Sequence, residues 1–279
     1  MQESECLING DNMITSSGNQ QIKRIIQLNK KAKTRYEQRV FVVEGMKMSM
    51  EAPRESIEAM YVSESFLDDE GKGARIQGYP YEVVSDSIFR TISDTKTPQG
   101  ILCLVRMPEY CLEDLLGNCQ PETGGAGRKN THLLVLESIQ DPGNLGTMIR
   151  AGEGAGVTGI LMDRTTVDIF NPKTIRATMG SLYRVPFFIA QNLPEAIQEL
   201  RQRGVALYAA HLSGSVPYCQ PSYAGPAAFL IGNEGNGLSQ EIAALADTMV
   251  HIPMEGSVES LNAAVAAALL MYEVKRQRG

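Results

Sequence analysis

Three short stretches of this sequence combine polar side chains with glycines at points where a strand would pass into a helix. They are LESIQDPGNLGTMIRAGEGAGVTG (Leu136–Gly159), FLIGNEGNGLS (Phe229–Ser239) and IPMEGSVESLNAAVAAALLMYE (Ile252–Glu273). Their polar candidates are Asn144, Arg150, Glu234, Ser260 and Asn262. A guanidinium group can orient a hydroxyl or a phosphate through its fork of donors, and glycine turns let a ligand approach the backbone.

Taken singly, each stretch also has a plain structural interpretation. Asn144 is a candidate helix cap, and Arg150 is spaced to pair with Glu153 at i,i+3. The glycines around Glu234 suit any tight turn between a strand and a helix. Ser257 or Ser260 would cap the long helix that follows. The three stretches occurring together favour the functional interpretation.

The elements that would position these residues alternate regularly after Thr131. Strands are predicted at 132–136, 159–162, 185–189, 205–210, 227–231 and 249–252, with helices between them. Asn171 and Ser239 are predicted helix caps, Pro194 would open a helix, and the last helix is expected from about Ser260 to Lys275. Such alternation predicts an α/β domain with a mostly parallel sheet covered on both faces.

A glycine pattern in the first stretch imitates a dinucleotide-binding loop. Gly154 to Gly159 match G-x-G-x-x-G, but here the pattern closes a helix and precedes a strand, the reverse of the order that a Rossmann site requires. Gly156 is better explained as a helix C-cap residue. An oxidoreductase is therefore the weakest of the alternatives, and a P-loop motif is absent.

Together and in this order, the three motifs resemble those of the SpoU (TrmH-type) branch of the SPOUT methyltransferases, over residues 131–279. The resemblance implies methylation of ribose 2′-hydroxyls in RNA, with ribosomal RNA favoured over transfer RNA, and S-adenosylmethionine as methyl donor. It also implies a trefoil knot, although general handedness rules predict an unknotted chain. The alternative function is a non-catalytic RNA-binding protein that kept the fold.

The same resemblance assigns roles to individual residues. The implied catalytic set is Arg150, Asn144, Glu234, Ser260 and Asn262, and the implied cofactor-binding positions are Leu212, Gly232, Ile252 and Leu261. Arg150 is either the base or the group that orients the hydroxyl, and Glu234 is a candidate partner for it. A homodimer is implied as well, and the apolar helix Ala263–Tyr272 would supply a natural interface.

Ahead of this domain, residues 15–107 are predicted to form a small α/β domain that binds RNA, followed by a linker at 108–130. FVVEG and TPQGILCLV resemble the substrate-binding domain found ahead of many SpoU catalytic domains. Helices are expected over Ser16–Lys33, over Met46–Ala52 and after a cap at Asp86, and Leu112, Leu115 and Leu116 would form one helical turn. The expected strands are 39–45, 59–62, 81–85 and 100–107.

Charge is unevenly distributed along the 279 residues, whose formal net charge is −6. One stretch, residues 20–40, is basic, and its candidate phosphate contacts are Lys23, Arg24, Lys30, Lys31, Lys33, Arg35 and Arg39. A solvated helix face is the alternative explanation of this run.

Composition limits the remaining possibilities. With 43% hydrophobic and 21% charged residues the chain is of ordinary globular type, and no apolar run of about 18 residues predicts a membrane span. Five cysteines without a C-x-x-C pair and three widely separated histidines indicate reduced thiols and no metal site. We therefore expect a cytoplasmic protein.

Overall fold

The computed structural model of the chain describes residues 13–116, 131–212 and 216–279. It divides into two compact units. The first comprises Met1–Pro108 together with Phe170–Gly180, and the second comprises Glu109–Ile169 with Ser181–Gly279. The segment 170–180, predicted to belong to the C-terminal domain, therefore packs with the first unit: the Phe170 ring lies 4.7 Å from that of Phe41.

Helices and strands alternate in both units. The helices are α1 (Gln20–Lys30), α2 (Ala32–Gln38), α3 (Met46–Glu51), α4 (Glu64–Leu67), α5 (Glu70–Arg75), α6 (Asp86–Ile92), α7 (Pro142–Ala155), α8 (Pro172–Thr178), α9 (Leu193–Gln202), α10 (Gln240–Ala243) and α11 (Ala263–Arg278). The strands are β1 (Val40–Glu44), β2 (Ile57–Ser63), β3 (Glu82–Val84), β4 (Ile101–Arg106), β5 (His132–Leu136), β6 (Gly159–Met162), β7 (Phe187–Ile189), β8 (Ala206–Ala210), β9 (Val216–Pro217), β10 (Ala227–Ile231) and β11 (Thr248–His251). Short 3-10 turns lie at Arg54–Ser56, Glu113–Leu116 and Ser181–Tyr183.

The first unit is built on a four-stranded sheet of order β1-β4-β2-β3. β4 pairs antiparallel with both β1 and β2, whereas β3 pairs parallel with β2. Helices α1 and α6 cover one face, where Ile22, Ile25, Leu28 and Phe89 are buried against the sheet. All four predicted strands of this region are present.

Two helix predictions in the first unit need correction. The single helix expected over Ser16–Lys33 is α1 followed by α2, because Lys31 adopts an extended conformation between them. The cap of α1 is Asn19, whose side chain accepts from the Gln21 amide. Helix α6 is capped by the Ser85 hydroxyl and not by Asp86, since Ser85 is the residue that is extended ahead of the helix.

Arg35 is not available for phosphate contact, contrary to the sequence-based assignment. Only 3% of its surface is exposed, and its Nη1 donates to the carbonyl oxygens of Leu28 at 2.6 Å and Asn29 at 3.3 Å. Arg35 thereby satisfies carbonyls at the end of α1, which have no partner within that helix. Charge counting along the chain could not separate this structural cation from its solvated neighbours.

The second unit contains a seven-stranded sheet of order β7-β6-β5-β10-β8-β11-β9, with every pairing parallel. The predicted mostly parallel α/β architecture is confirmed, and the six predicted strands are found within two residues of their expected ends. Their sequences read as continuous apolar runs because both faces of the sheet are covered. The implied threading of the chain into a knot stays a prediction.

Part of the predicted linker belongs to the core of the second unit. The 3-10 turn Glu113–Leu116 confirms the expected helical turn, and Leu112, Leu115 and Leu116 are buried in the cluster beneath the sheet. The glycine-rich part of the predicted linker, from Pro121 to Asn130, lies outside the described residues.

The last helix begins later than the sequence suggested. Its cap is Asn262, whose Oδ1 accepts from the amides of Ala264 and Val265, in place of Ser257 or Ser260. Of the helices in the described ranges, none is long and apolar enough to cross a membrane. Within the same ranges, acidic, histidine and cysteine side chains nowhere gather in a group of three that could hold a metal ion.

Candidate active site

The three sequence motifs meet at the carboxyl edge of the parallel sheet. β5 and β10 are neighbours in register, with Leu136 opposite Ile231, so the loops that follow them lie side by side. β8 continues the same edge, since Leu230 is opposite Ala209. This edge is where open α/β sheets bind their ligands.

The first motif opens helix α7, but Asn144 does not cap it. The cap is Asp141, whose carboxylate accepts from the Asn144 backbone amide at 2.8 Å, and Pro142 occupies the first turn. Because the cap position is taken by Asp141, the side chain of Asn144 remains free for contacts outside the helix. Gly156 ends the helix with φ of 79°, which confirms it as a C-cap residue.

A continuous chain of hydrogen bonds connects the side chains of the three motifs. Asn262 Nδ2 donates to Asn144 Oδ1 at 3.0 Å, and Asn144 Nδ2 donates to Glu234 Oε1 at 3.0 Å. The direction of the chain is unambiguous. The Glu234 carboxylate only accepts, and Asn262 Oδ1 is already used to cap α11. Both asparagine amides therefore have their orientation set by their neighbours.

Glu234 is held as a carboxylate. Desolvation opposes its ionisation, but hydrogen bonds from Asn144 Nδ2 and from the amides of Gln140 and Asp141 outweigh that effect and lower its pKa. Both backbone amides lie 3.0 Å from the carboxylate oxygens. A carboxylate with three donors is a poor proton acceptor, and its hydrogen bonds tie the loop at Gln140 and Asp141 to Asn144.

Other residues, which the sequence analysis did not select, join the loops after β5 and β10. Asn233 Nδ2 donates to the Ser138 carbonyl at 2.9 Å, and Glu137 Oε2 accepts from the Ser239 amide at 2.8 Å. Ser138 has φ of 55°, an uncommon conformation for serine, and its amide donates to Asp163 Oδ1. No signal in the sequence marked these partners, because they are 25 to 102 residues apart.

Beside this hydrogen-bonded chain lies a cavity of about 590 Å³. Its wall includes all four positions implied to bind cofactor: Leu212, Gly232, Ile252 and Leu261. Glu234 and Ser260 also line it, together with Ala210 at the end of β8 and His211 after it. The cavity therefore borders the residues of motifs two and three that the resemblance had selected.

Gly232 permits the tight turn that forms one wall of the cavity. A Cβ atom at this position would lie 2.1 Å from the backbone carbon of Gly237, closer than any real contact. The turn is closed by paired backbone bonds between Asn233 and Gly237 at 2.9 and 3.0 Å. Any side chain at Gly232 would have to open this turn and reshape the cavity.

Arg150 is the one predicted catalytic residue that neither joins the hydrogen-bonded chain nor lines the cavity. It is exposed on α7, six residues beyond Asn144, and does not line the cavity. Across the described ranges, no side chain forms an ion pair or hydrogen bond with it. The expected partners are engaged elsewhere, since Glu153 pairs with Arg184 and Glu234 with Asn144.

The cavity fits S-adenosylmethionine in size and in chemistry. Its volume falls within the roughly 300–1000 Å³ of typical ligand sites. Gly235 and Gly237 of the glycine turn are exposed, so a ligand can approach the backbone there, while Leu212, Ile252 and Leu270 provide apolar wall. These residues would hold the donor, which supplies an electrophilic methyl group when bound.

Comparison with known proteins agrees with this geometry. Residues 131–272 match the SpoU rRNA Methylase family, and residues 19–103 match the MRM3-like substrate binding domain. The 23S rRNA (guanosine(2553)-2′-O)-methyltransferase RlmP of Bacillus subtilis is 33% identical over 94% of this chain and 98% of its own.

Solved structures show the same similarity. An AdoMet-bound rRNA methyltransferase from Sinorhizobium meliloti superimposes with a TM-score of 0.80 and 30% identity, covering 95% of this chain and 97% of that one. An RNA 2′-O ribose methyltransferase gives a TM-score of 0.79 at 30% identity, covering 96% and 99%. The chain thus belongs to the SpoU rRNA methylase family and is an RNA ribose 2′-O-methyltransferase that uses S-adenosylmethionine.

Proposed function

We propose that the acceptor is a ribose 2′-hydroxyl of large-subunit ribosomal RNA and that the Asn262–Asn144–Glu234 chain forms the floor of the acceptor site. The observation that carries this proposal is the position of that chain beside the cavity, where a polar array meets the predicted donor-binding residues. The relation to RlmP over nearly both full lengths supports ribosomal RNA as the substrate.

In this proposal the site residues orient the acceptor more than they remove its proton. Asn144 Oδ1 and the second hydrogen of Asn262 Nδ2 can each bond to a hydroxyl. Ser260, at the cavity wall, adds a hydroxyl. Holding a reacting oxygen in line with the bond to be broken supplies much of the rate enhancement in a two-reactant displacement.

Arg150 is assigned to orienting the acceptor or its adjacent phosphate. A guanidinium stays protonated at ordinary pH, and five donors in a rigid fork suit a phosphate oxygen. The 2′-hydroxyl proton then passes to solvent as the oxygen–carbon bond forms and the bond between that carbon and the donor's sulfur breaks. This assignment chooses between the two roles that the sequence left open.

A homodimer is proposed to complete the site. Helix α11 buries Ala264, Ala267, Leu270 and Met271, but its other face exposes Val265, Leu269 and Tyr272 by 49, 38 and 50%. Tyr272 lies against α7 at Gly154, where an added Cβ would be 2.8 Å from its hydroxyl. Arg150 is one helical turn from Gly154. Association of two subunits through the exposed face of α11 would therefore bring Arg150 close to the partner subunit.

The basic stretch of the first unit is proposed to contribute RNA affinity through its exposed cations, which are Lys23, Lys30, Lys31, Lys33 and Arg39. Arg24 is only half-exposed and forms an ion pair with Glu58 at 2.5 Å, so it contributes less. With ribosomal RNA as substrate, the proposed place of action is the cytoplasm.

The test is methyl transfer by the purified full chain. Labelled S-adenosylmethionine and 23S rRNA transcribed in vitro should yield one 2′-O-methylated nucleotide, which primer extension at low nucleotide concentration can locate. Incorporation into 16S rRNA or transfer RNA alone would contradict the proposed substrate. Tight RNA binding without incorporation into any RNA would instead support the non-catalytic alternative.

A further inference from the structure

A second pocket lies wholly within the first unit and shares no lining residue with the cavity described above. Its volume is about 490 Å³, and it is lined by Met46, Ser65, Phe66, Lys72, Arg75 and the Pro98–Gly100 turn. Resting on the proposed function, we propose that this pocket binds one nucleotide of the substrate RNA, with Lys72 and Arg75 on the phosphate and the Gln99 amide on the base or ribose.

The charge of the lining favours a phosphate-bearing ligand. It contains two basic side chains and, in the described part of the chain, no acidic one. Arg75 is exposed and has no ion pair or hydrogen bond to a described residue, so its donors are available. Lys72 shares an exposed ion pair with Asp69 at 3.1 Å, which is weak enough in water to be exchanged.

Gln99 presents a donor whose position is fixed by the protein. Its Oε1 accepts from the Met46 amide at 2.9 Å, and this bond orients the side-chain amide. Its Nε2 has no acceptor among the described residues. A donor held in this way can read a ligand without first losing side-chain freedom.

Hydrogen bonds among residues that do not line the pocket hold the start of the loop that carries Gln99. Glu44 accepts from the hydroxyls of Ser93 and Thr95, each at 2.6 Å, and from the Asp94 amide at 3.0 Å. The Asp94 carboxylate in turn pairs with Arg176 at 2.5 Å. These bonds fix Ser93, Asp94 and Thr95, from which the chain continues to Gln99.

Gly100 lets this turn lie directly on the pocket floor. Its φ is 82°, and a Cβ atom would be 2.6 Å from Ser63 Oγ and 2.9 Å from Phe66 Cβ. Phe66 and Met46 are almost completely buried and form the apolar part of the pocket lining. A nucleobase can therefore enter a pocket whose lining is partly apolar and partly polar.

Single-stranded RNA fits this combination better than a folded protein does. Its recognition joins phosphate contacts to hydrogen bonds on bases splayed out of the helix, one nucleotide at a time. The second unit, Glu109–Ile169 with Ser181–Gly279, has 17 acidic residues against 10 Lys and Arg and gives little help in attracting a polyanion.

The sharpest test is Gln99→Glu in the full chain. Glutamate keeps an oxygen for the Met46 amide but replaces the free donor with a charged acceptor, which cannot donate to the base or ribose. A second variant, Lys72→Ala with Arg75→Ala, removes both cations. Arg90→Ala is the matched control, because Arg90 is an exposed cation of the same unit that does not line the pocket.

Binding to 23S rRNA transcribed in vitro would be measured by filter retention over a range of salt concentrations. We expect each pocket variant to weaken RNA binding about tenfold or more and to raise the KM for RNA, with kcat and S-adenosylmethionine affinity unchanged. In the Lys72→Ala, Arg75→Ala variant, the loss of two phosphate contacts should also reduce the slope of log affinity against log salt concentration by about 1.4. Arg90→Ala should have none of these effects.

Wild-type affinity in both pocket variants would overturn the inference, whether or not the RNA is methylated. If the variants lose RNA binding but the wild-type protein methylates no ribosomal RNA, the pocket stands and the proposed function fails. If one variant has a lower melting temperature than the wild type, the other variant decides the test, because Gln99→Glu and the double substitution disturb different contacts.

Discussion

The side chain of Asn262 donates to Asn144 Oδ1 at 3.0 Å across 118 residues of sequence, and its own Oδ1 caps helix α11. One amide therefore fixes both the start of the last helix and the orientation of Asn144. Glu234 completes the arrangement from the other end. The start of the C-terminal helix and the orientation of Asn144 in the proposed acceptor site are thus linked through the same residue.

Asn262→Asp separates these two functions. Aspartate is as good a helix cap as asparagine, so the melting temperature should change little. It cannot donate to Asn144, and it adds a second carboxylate near Glu234. We expect methyl transfer to fall about a hundredfold or more, measured with saturating RNA and donor.

Asn262→Ala is the companion variant, because it removes both the cap and the donor. It should lose about 1 kcal/mol of stability in addition to activity. Near-normal turnover in Asn262→Asp would remove the link to Asn144 from the mechanism.

Arg150→Ala should abolish methyl transfer while S-adenosylmethionine affinity stays within about tenfold, because Arg150 does not line the donor cavity. Arg150→Lys keeps the charge but loses the planar fork, so it should rescue activity poorly. Turnover by steady-state kinetics and donor affinity by calorimetry decide the matter. Full rescue by lysine would mean that charge alone is sufficient.

Leu269→Glu should convert the protein to a monomer. The substitution puts a charge into the exposed apolar face of α11 that also contains Val265 and Tyr272. Light scattering should give about twice the chain mass of 30.5 kDa for the wild type and about that mass for the variant. A wild-type protein that is already monomeric at micromolar concentration would contradict the dimer.

His132 should make the folded protein sensitive to acid. It is buried, its Nε2 has no partner in the described structure, and burial with the nearby Arg278 charge lowers its pKa from 6.5 to about 4. As pH falls from 6.5 towards 4, the unfolded chain binds a proton that the folded chain does not, so stability is lost. The loss from this group reaches about 3 kcal/mol near pH 4.

His132→Leu should remove that component, because leucine does not titrate and suits a buried strand. Melting temperatures measured from pH 7 to pH 4 should fall less steeply for the variant than for the wild type. Parallel curves would show that His132 titrates normally in the folded protein.

Charge reversal of Lys30, Lys31 and Lys33 should weaken RNA binding and flatten its salt dependence without changing the melting temperature, since all three are exposed. Unchanged RNA affinity in the lysine variant would make the stretch a solvated helix face.

Arg35→Ala should lower the stability of the fold, in contrast to the lysine variant. It leaves the Leu28 and Asn29 carbonyls without their donor and should cost about 1–3 kcal/mol of stability.

Substitution is a better test of the basic stretch than truncation. Deletion of residues 1–107 would remove the first unit but leave residues 170–180, which pack with it, without their partners. Phe170 would then be exposed and the truncated protein could misfold. A loss of RNA binding could therefore not be distinguished from a loss of folding.

The sequence by itself determined the parallel α/β architecture, the family and the three motifs. Buried strands such as His132–Leu136 are local apolar runs, and Asn144, Glu234 and Asn262 stand in fixed local patterns next to glycines. Information of this kind is carried within some twenty residues, so periodicity and motif spacing are sufficient to recover it.

Only the tertiary structure decided which groups meet. It paired Glu234 with Asn144 in place of Arg150, gave the cap of α11 to Asn262, and buried Arg35 beneath carbonyls at the end of α1. Hydrogen bonds and burial depend on distances between parts of the chain that are remote in sequence, and side-chain type does not specify them. For the same reason the Gln99 pocket, built from residues 46 to 100, had no signature in the sequence.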